Sequence, residues 1–236
     1  MELNKILSRE SFPEIIANKL EEMIINGKFV SEQKLPSEQT LADEFGVSRP
    51  VIRESMKILK ERGLVIQKNG GGTFICEPDS DLVTETLNRI VHLKNIDIDD
   101  IFSLRITLET MAIELAAARA DDEELNELQA INDHMRKSKE DVGERAKADV
   151  LFHRKIAQIS GNMLLEVFVE AMASLVTPVV KYTLDRHVGN EEGIEFHDRI
   201  IKVLRTHNAG EAAKQIQRHL ELSKQNYILA QKDMSK

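Results

Sequence analysis

Two groups of side chains in this 236-residue chain are spaced to do chemistry. Asp149 and His153 stand four residues apart, so on a helix they share one face and can offer a carboxylate and an imidazole to one divalent cation. A plain ion pair uses the same spacing and is the commoner arrangement. His197 and His219 each have apolar neighbours, Phe196 and Ile200 for the first, Ile216 and Leu220 for the second. Spacing alone does not bring either of them to Asp149. The second group is Ser48-Arg49-Pro50-Val51-Ile52-Arg53. Arginine can pair bidentately with guanine O6 and N7, and Val51 can touch a thymine methyl. Ser48 and Ser37, at helix starts, can donate to phosphate. Taken singly, each arginine reads more simply as part of a solvated helix face.

These side chains need elements to position them. Ile16, Leu20, Met23 and Ile24 recur at helical spacing and predict a helix over 12–26, ended by Gly27. Ser37 is the expected N-cap of a second short helix, with Leu41, Ala42 and Phe45 inward and Gly46 as its stop. Ser48 is the expected cap of a third, whose first turn tolerates Pro50 and whose core face is Ile52, Met56 and Leu59. Arg49, Arg53 and Lys60 fall on another side. Two strand-like runs follow, 64–68 and 73–76, joined by the turn Asn69-Gly70-Gly71-Gly72. Two close helices and a small hairpin make a winged helix-turn-helix, whose second helix enters the major groove. The glycine-rich wing tip lets backbone come close to DNA.

Beyond a linker at 78–81 the hairpin signals stop. Helices are expected over 81–93, 97–120, 122–137, 144–160, 162–187, 190–205 and 208–231, with Pro178 kinking the fifth. The fold class is therefore mainly α: a winged domain over 1–78, a linker and connecting helix over 79–96, and an all-helical bundle over 97–236.

A net charge of −8, from 32 basic and 40 acidic residues, argues against nucleic acid when taken whole. The charge is uneven. Residues 1–78 carry 11 basic and 12 acidic side chains, and within 49–68 Arg49, Arg53, Lys57, Lys60, Arg62 and Lys68 face only Glu54 and Glu61. A local basic stripe can serve phosphates where the total charge does not. No apolar run approaches the length of a membrane span, the N-terminus has no signal-peptide pattern, and Cys76 is alone. A cytoplasmic location without membrane contact is expected.

Leu35-Pro36-Ser37-Glu38, the run from Gly46 to Glu54, Gly63-Leu64-Val65 and Gly72-Thr73-Phe74-Ile75 resemble the signature of the GntR superfamily of regulators. The resemblance implies DNA contacts at Ser37, Gln39, Ser48, Arg49, Pro50, Val51, Arg53, Asn69 and Gly70. Gln39 departs from it, standing where the family usually has arginine. Glutamine lacks the charge but can still hydrogen-bond adenine or phosphate. Residues 97–230 resemble the ligand-binding domain of the FadR subgroup through Leu104-Arg105 to Glu109, Asp149 to His153, Ser160-Gly161-Asn162, Phe196-His197 and Arg218-His219-Leu220. That resemblance implies a divalent metal held by Asp149, His153, His197 and His219. One carboxylate and three imidazoles suit Zn²⁺, Ni²⁺ or Mn²⁺, zinc first. It also implies that Arg105 clamps an effector carboxylate, against the plain alternative of an ion pair with Glu109. Asn162 reads equally as pocket lining and as a helix cap.

The expected function is a homodimeric regulator, a repressor, reading a pseudo-palindromic operator under control of a small carboxylate or hydroxy acid. A metal-dependent enzyme is the main rival, weakened by the lack of a general base or nucleophile motif. A metal-free polar network serving an acyl effector, and a structural DNA binder of poor sequence preference, are the others.

Overall fold

The structure, a computed structural model, describes residues 11–68, 71–76, 80–138, 140–185 and 191–232. It divides into two units, Met1–Asp79 and Ser80–Lys236.

In the first unit, α1 (Phe12–Ile25) opens with a capping box. Ser11 accepts from the Glu14 amide, and Glu14 accepts from the Ser11 amide in return. Helix α2 (Glu38–Phe45) starts at Ser37, whose Oγ accepts from the Thr40 amide at 3.1 Å. Helix α3 (Arg49–Glu61) starts at Ser48, but there the expected cap is positional only. Ser48 has the extended cap backbone and makes no side-chain cap hydrogen bond. Strands β1 (Val65–Lys68) and β2 (Gly72–Ile75) pair antiparallel, from Val65 opposite Ile75 to Lys68 opposite Gly72. Strand β1 starts one residue later than the expected run, and β2 is shifted one residue earlier at both ends. Lys34 adds a bridge to Phe74. Gly72 has φ +103, a backbone conformation that favours glycine. Ile16, Leu20, Leu41, Ile52, Leu59 and Val65 form the core between helices and wing. The Ser55 hydroxyl, buried in α3, donates to the Pro13 carbonyl at 2.9 Å and ties α3 to α1.

The second unit is helical throughout: α4 (Ser80–Lys94), α5 (Ile98–Ala117), α6 (Asp122–Lys137), α7 (Val142–Ile159), α8 (Met163–Leu175), α9 (Thr177–Asp185), α10 (Glu192–Leu204) and α11 (Ala209–Lys232). Ser80, expected in the linker, begins α4 one residue before the expected helix start at Asp81, and α4 packs along α8. Pro78 and Asp79, with His187 and the expected break at Gly189-Asn190, lie outside the described residues. The helix expected over 162–187 is two helices, bent by 43° with Val176 between them. Pro178 explains the break. Its nitrogen cannot donate to the turn before it, whereas the first turn of a new helix needs no donor there. Helix α5 runs against α11, α7 lies among α5, α6 and α8, and α10 crosses α6 and α11. Ile113, Phe152, Ile156, Ile200, Ile216 and Leu220 fill the space between them. Among the described residues no single helix is long and apolar enough to cross a membrane.

Candidate DNA interface and candidate metal centre

At the start of α3, Ser48, Arg49, Pro50 and Arg53 are exposed, while Val51 is half-buried against the winged core. An α-helix puts Arg49 and Arg53 one turn apart on one face, and Ile52 and Met56 on the buried one. Ser37 and Gln39 are exposed at the start of α2. An open groove runs past Ser37, Glu38, Gln39 and Arg49 to Gln67 and Thr73 of the wing. The segment thus presents polar side chains to solvent, as a groove-reading helix must. Asn69 and Gly70 lie outside the described residues.

Two partners here were not foreseen. Gln39 Nε2 donates to Asp43 Oδ1 at 2.9 Å, along its own helix. Glu38 faces both arginines, with Oε2 3.1 Å from Arg53 Nη2 and 3.7 Å from Arg49 Nη2. This pairing holds the Arg53 guanidinium above its usual pKa, the hydrogen bond to Glu38 contributing most. Its sequence signal is only an acidic residue after an N-cap, which reads first as a helix-dipole preference. Placement against α3 is a matter of packing.

The second unit brings four distant residues together. Asp149 and His153 come from α7, His197 from α10 and His219 from α11, all buried. One ligand atom from each lies within 4.8 Å of all the others. His219 Nε2 is 3.3 Å from both His153 Nε2 and His197 Nε2. Asp149 Oδ1 is 3.8 Å from His153 Nε2 and 3.7 Å from His197 Nε2. Ligands about 2.1 Å from a common cation stand roughly 3.0–3.4 Å apart in octahedral or tetrahedral geometry. The cluster is close to that spacing. Burial, then the neighbouring imidazoles, hold His197 and His219 well below the usual imidazole pKa of 6.5, so both keep lone pairs to offer. The residues present therefore fit a divalent cation.

Each ring is oriented differently. His197 stacks on Phe152, with centroids 3.8 Å apart and planes at 9°. His153 Nδ1 makes a short contact with Glu109 Oε2 on α5, and Glu109 Oε1 accepts from Arg105 Nε at 2.6 Å. Burial pushes the Glu109 carboxyl up, but Arg105 and His153 outweigh it and hold it at about 2. Arg105 is thus in the ion pair with Glu109. Its Nη2 is buried without a hydrogen-bond partner among the described residues. Asn162 is exposed and caps α8, with Oδ1 accepting from the Leu164 and Leu165 amides at 3.1 and 3.3 Å. Neither Arg105 nor Asn162 lines the cavity of about 50 Å³ beside Asp149 and His219. Arg145, Thr183, Ser223 and Asn226 do. Arg145 is the buried cation that sequence reasoning missed, although it falls one turn before Asp149 on the face carrying His153.

Residues 14–75 match the gntR family of bacterial regulatory proteins, and residues 100–222 match the FCD domain. A relative in Bacillus subtilis, the HTH-type transcriptional regulator LutR, is 30% identical over 84% of this chain and 93% of its own. The HTH-type transcriptional repressor NanR of Cronobacter sakazakii is 29% identical over 91% of this chain and 84% of its own. A solved structure described as Streptococcus agalactiae GntR shares the fold, with a TM-score of 0.68 at 24% identity over 90% of this chain and 99% of that one. The fold and the exposed helix start define a winged helix-turn-helix regulator with an all-helical second domain. The chain belongs to the GntR family, in the FadR-like subgroup that carries an FCD domain. It is a DNA-binding transcription regulator, and the family is one of regulators, not enzymes.

Proposed function

We propose that this chain is a metal-containing, effector-controlled repressor. The observation that carries the reading is the convergence of Asp149, His153, His197 and His219, buried, with ligand atoms inside 4.8 Å. These four would hold a divalent cation, zinc first and nickel or manganese next, whose remaining positions give a small carboxylate or hydroxy acid an electrophilic anchor. The cavity beside Asp149 and His219 supports a small ligand, since about 50 Å³ is space for roughly three to five waters. The buried, unpartnered Arg105 Nη2 supports a donor role for Arg105 beside its ion pair. Asn162 belongs to the effector set only if its capping bonds are exchanged for bonds to ligand.

On DNA, two copies of the chain place two α3 helices in the half-sites of a pseudo-palindrome. Arg49 and Arg53 read base edges. Ser37, Gln39, Ser48 and Pro50 settle the register on the backbone, with Val51, Asn69 and Gly70 completing the contact. A DNA partner puts the protein in the cytoplasm of its cell. Repression as the direction of control is supported by the name of the NanR relatives. Effector binding changes operator affinity through a differential affinity for two states of the dimer, typically about 1–3 kcal/mol of coupling.

The test is elemental analysis of protein purified without chelator or nickel resin. Wild type is expected to carry close to one equivalent of metal, and His153→Ala far less with its winged unit still folded. Full occupancy in His153→Ala refutes the site, and a metal-free wild type leaves the polar-network reading in its place.

A further inference from the structure

Glu109 carries a buried charge beside the cluster that the proposed function leaves unused. It stands on α5 one turn after Arg105, both with at most 3% of the side chain exposed. Its two oxygens go to two different helices' business: Oε1 to Arg105 Nε within α5, Oε2 to His153 Nδ1 across on α7. A neutral imidazole carries one proton, and the hydrogen bond made by one nitrogen decides which nitrogen holds it. A carboxylate can only accept, so Nδ1 of His153 is the donor. The Nε2 lone pair is then left facing His219 Nε2 and Asp149 Oδ1. His197 and His219 have no such anchor, since their Nδ1 atoms are buried without a hydrogen-bond partner among the described residues.

We propose that Glu109, held by Arg105, is a positioning residue that fixes the tautomer and ring orientation of His153 for metal binding. This inference rests on the metal reading above and adds to it that the cation's grip depends on a carboxylate on a helix contributing no ligand. Carboxylates behind ligating histidines raise ligand basicity, and losing one typically weakens metal binding by about 10–100-fold.

The experiment is a competition titration of zinc between the full-length chain and a chromophoric chelator, for wild type, Glu109→Gln and the double variant Arg105→Met/Glu109→Gln. The double variant removes both buried charges together and covers the case in which an uncompensated Arg105 prevents Glu109→Gln from folding. The expected result is zinc binding weakened by about 10–100-fold in either folded variant. A long-range proton–nitrogen NMR spectrum of the zinc-loaded wild type is expected to show His153 protonated at Nδ1, a signature that mere packing would not set. Variant affinity within twofold of wild type overturns the role of Glu109 and leaves the metal centre standing. A His153 proton on Nε2 in zinc-loaded wild type overturns it independently. A wild type that takes up no zinc removes the metal centre and this inference together.

Discussion

Arg49 and Arg53 keep more than half of each side chain in solvent even while facing Glu38. Ion pairs at that exposure are screened and contribute little, whereas a bidentate arginine–guanine pair discriminates by about 1–3 kcal/mol. On the proposed reading, a guanine edge would outcompete Glu38 for these guanidinium groups. Arg49→Ala is expected to weaken operator binding by about 1–3 kcal/mol in an anisotropy titration at fixed salt. An unchanged dissociation constant removes Arg49 from the reading set. His197 and His219 carry a pH prediction for the chelator-treated protein. Their folded pKa values lie below 6.5, so just under that pH the unfolded chain binds more protons than the folded one. Stability is fully present above pH 6.5 and is lost as pH falls below it, by up to roughly 1–3 kcal/mol per unit for the pair. Thermal unfolding between pH 7.5 and 5.5 reads this directly, and a flat melting temperature contradicts it.

The ends of the helices matter as much as their faces. The junction between α7 and α8 turns on Gly161, with φ +68 and a position where a Cβ would lie 2.1 Å from Arg119 Nη1. The same Arg119 nitrogen donates to the Ser160 carbonyl at 2.5 Å, closing the last turn of α7. Asn162 then opens α8. Three consecutive residues thus end one helix, reverse the chain and start the next. Gly161→Ala adds left-handed backbone cost and displaces Arg119, an expected loss of about 1–3 kcal/mol. Denaturant unfolding measures it, and a midpoint equal to wild type shows that the junction relaxes freely. A different bend, at Val176 before Pro178, separates α8 from α9, which carries Thr183 and Val180 to the cavity beside the cluster.

At the scale of the whole molecule, the proposed control is a linkage between a buried centre and a DNA-reading helix. A ligand that binds only the folded chain stabilises it by RT ln(1 + [L]/Kd), about 2.7 kcal/mol at a hundredfold excess over Kd. For a chain of this size that raises the melting temperature by roughly 5–10 °C. Scanning calorimetry before and after dialysis against a chelator is expected to show that drop, with recovery on adding zinc. Identical traces would mean that the four ligands hold no cation worth the name. The acidic balance of the helical unit suits the proposed division of labour, in which phosphate contacts fall to the winged unit and its basic stripe at 49–68.

Much of this architecture is legible without coordinates. Apolar spacing and cap residues marked α1, α6 and α11 to within a residue or two at their ends, because periodicity and capping are local. The Asn-Gly-Gly-Gly turn announced the wing for the same reason. Asp149 and His153 could be paired by helical geometry alone. Spacing could not join His219 to His153, 66 residues away; the resemblance implied it and the tertiary structure shows it, and only the tertiary structure put Glu109 behind His153, 44 residues away. It alone showed Glu38 facing Arg53 and Arg145 in the cavity wall. Local rules say which face of a helix a side chain occupies. Which faces meet depends on how the helices pack, and that is settled by the burial of apolar surface over the whole unit, where no short spacing in the chain records it.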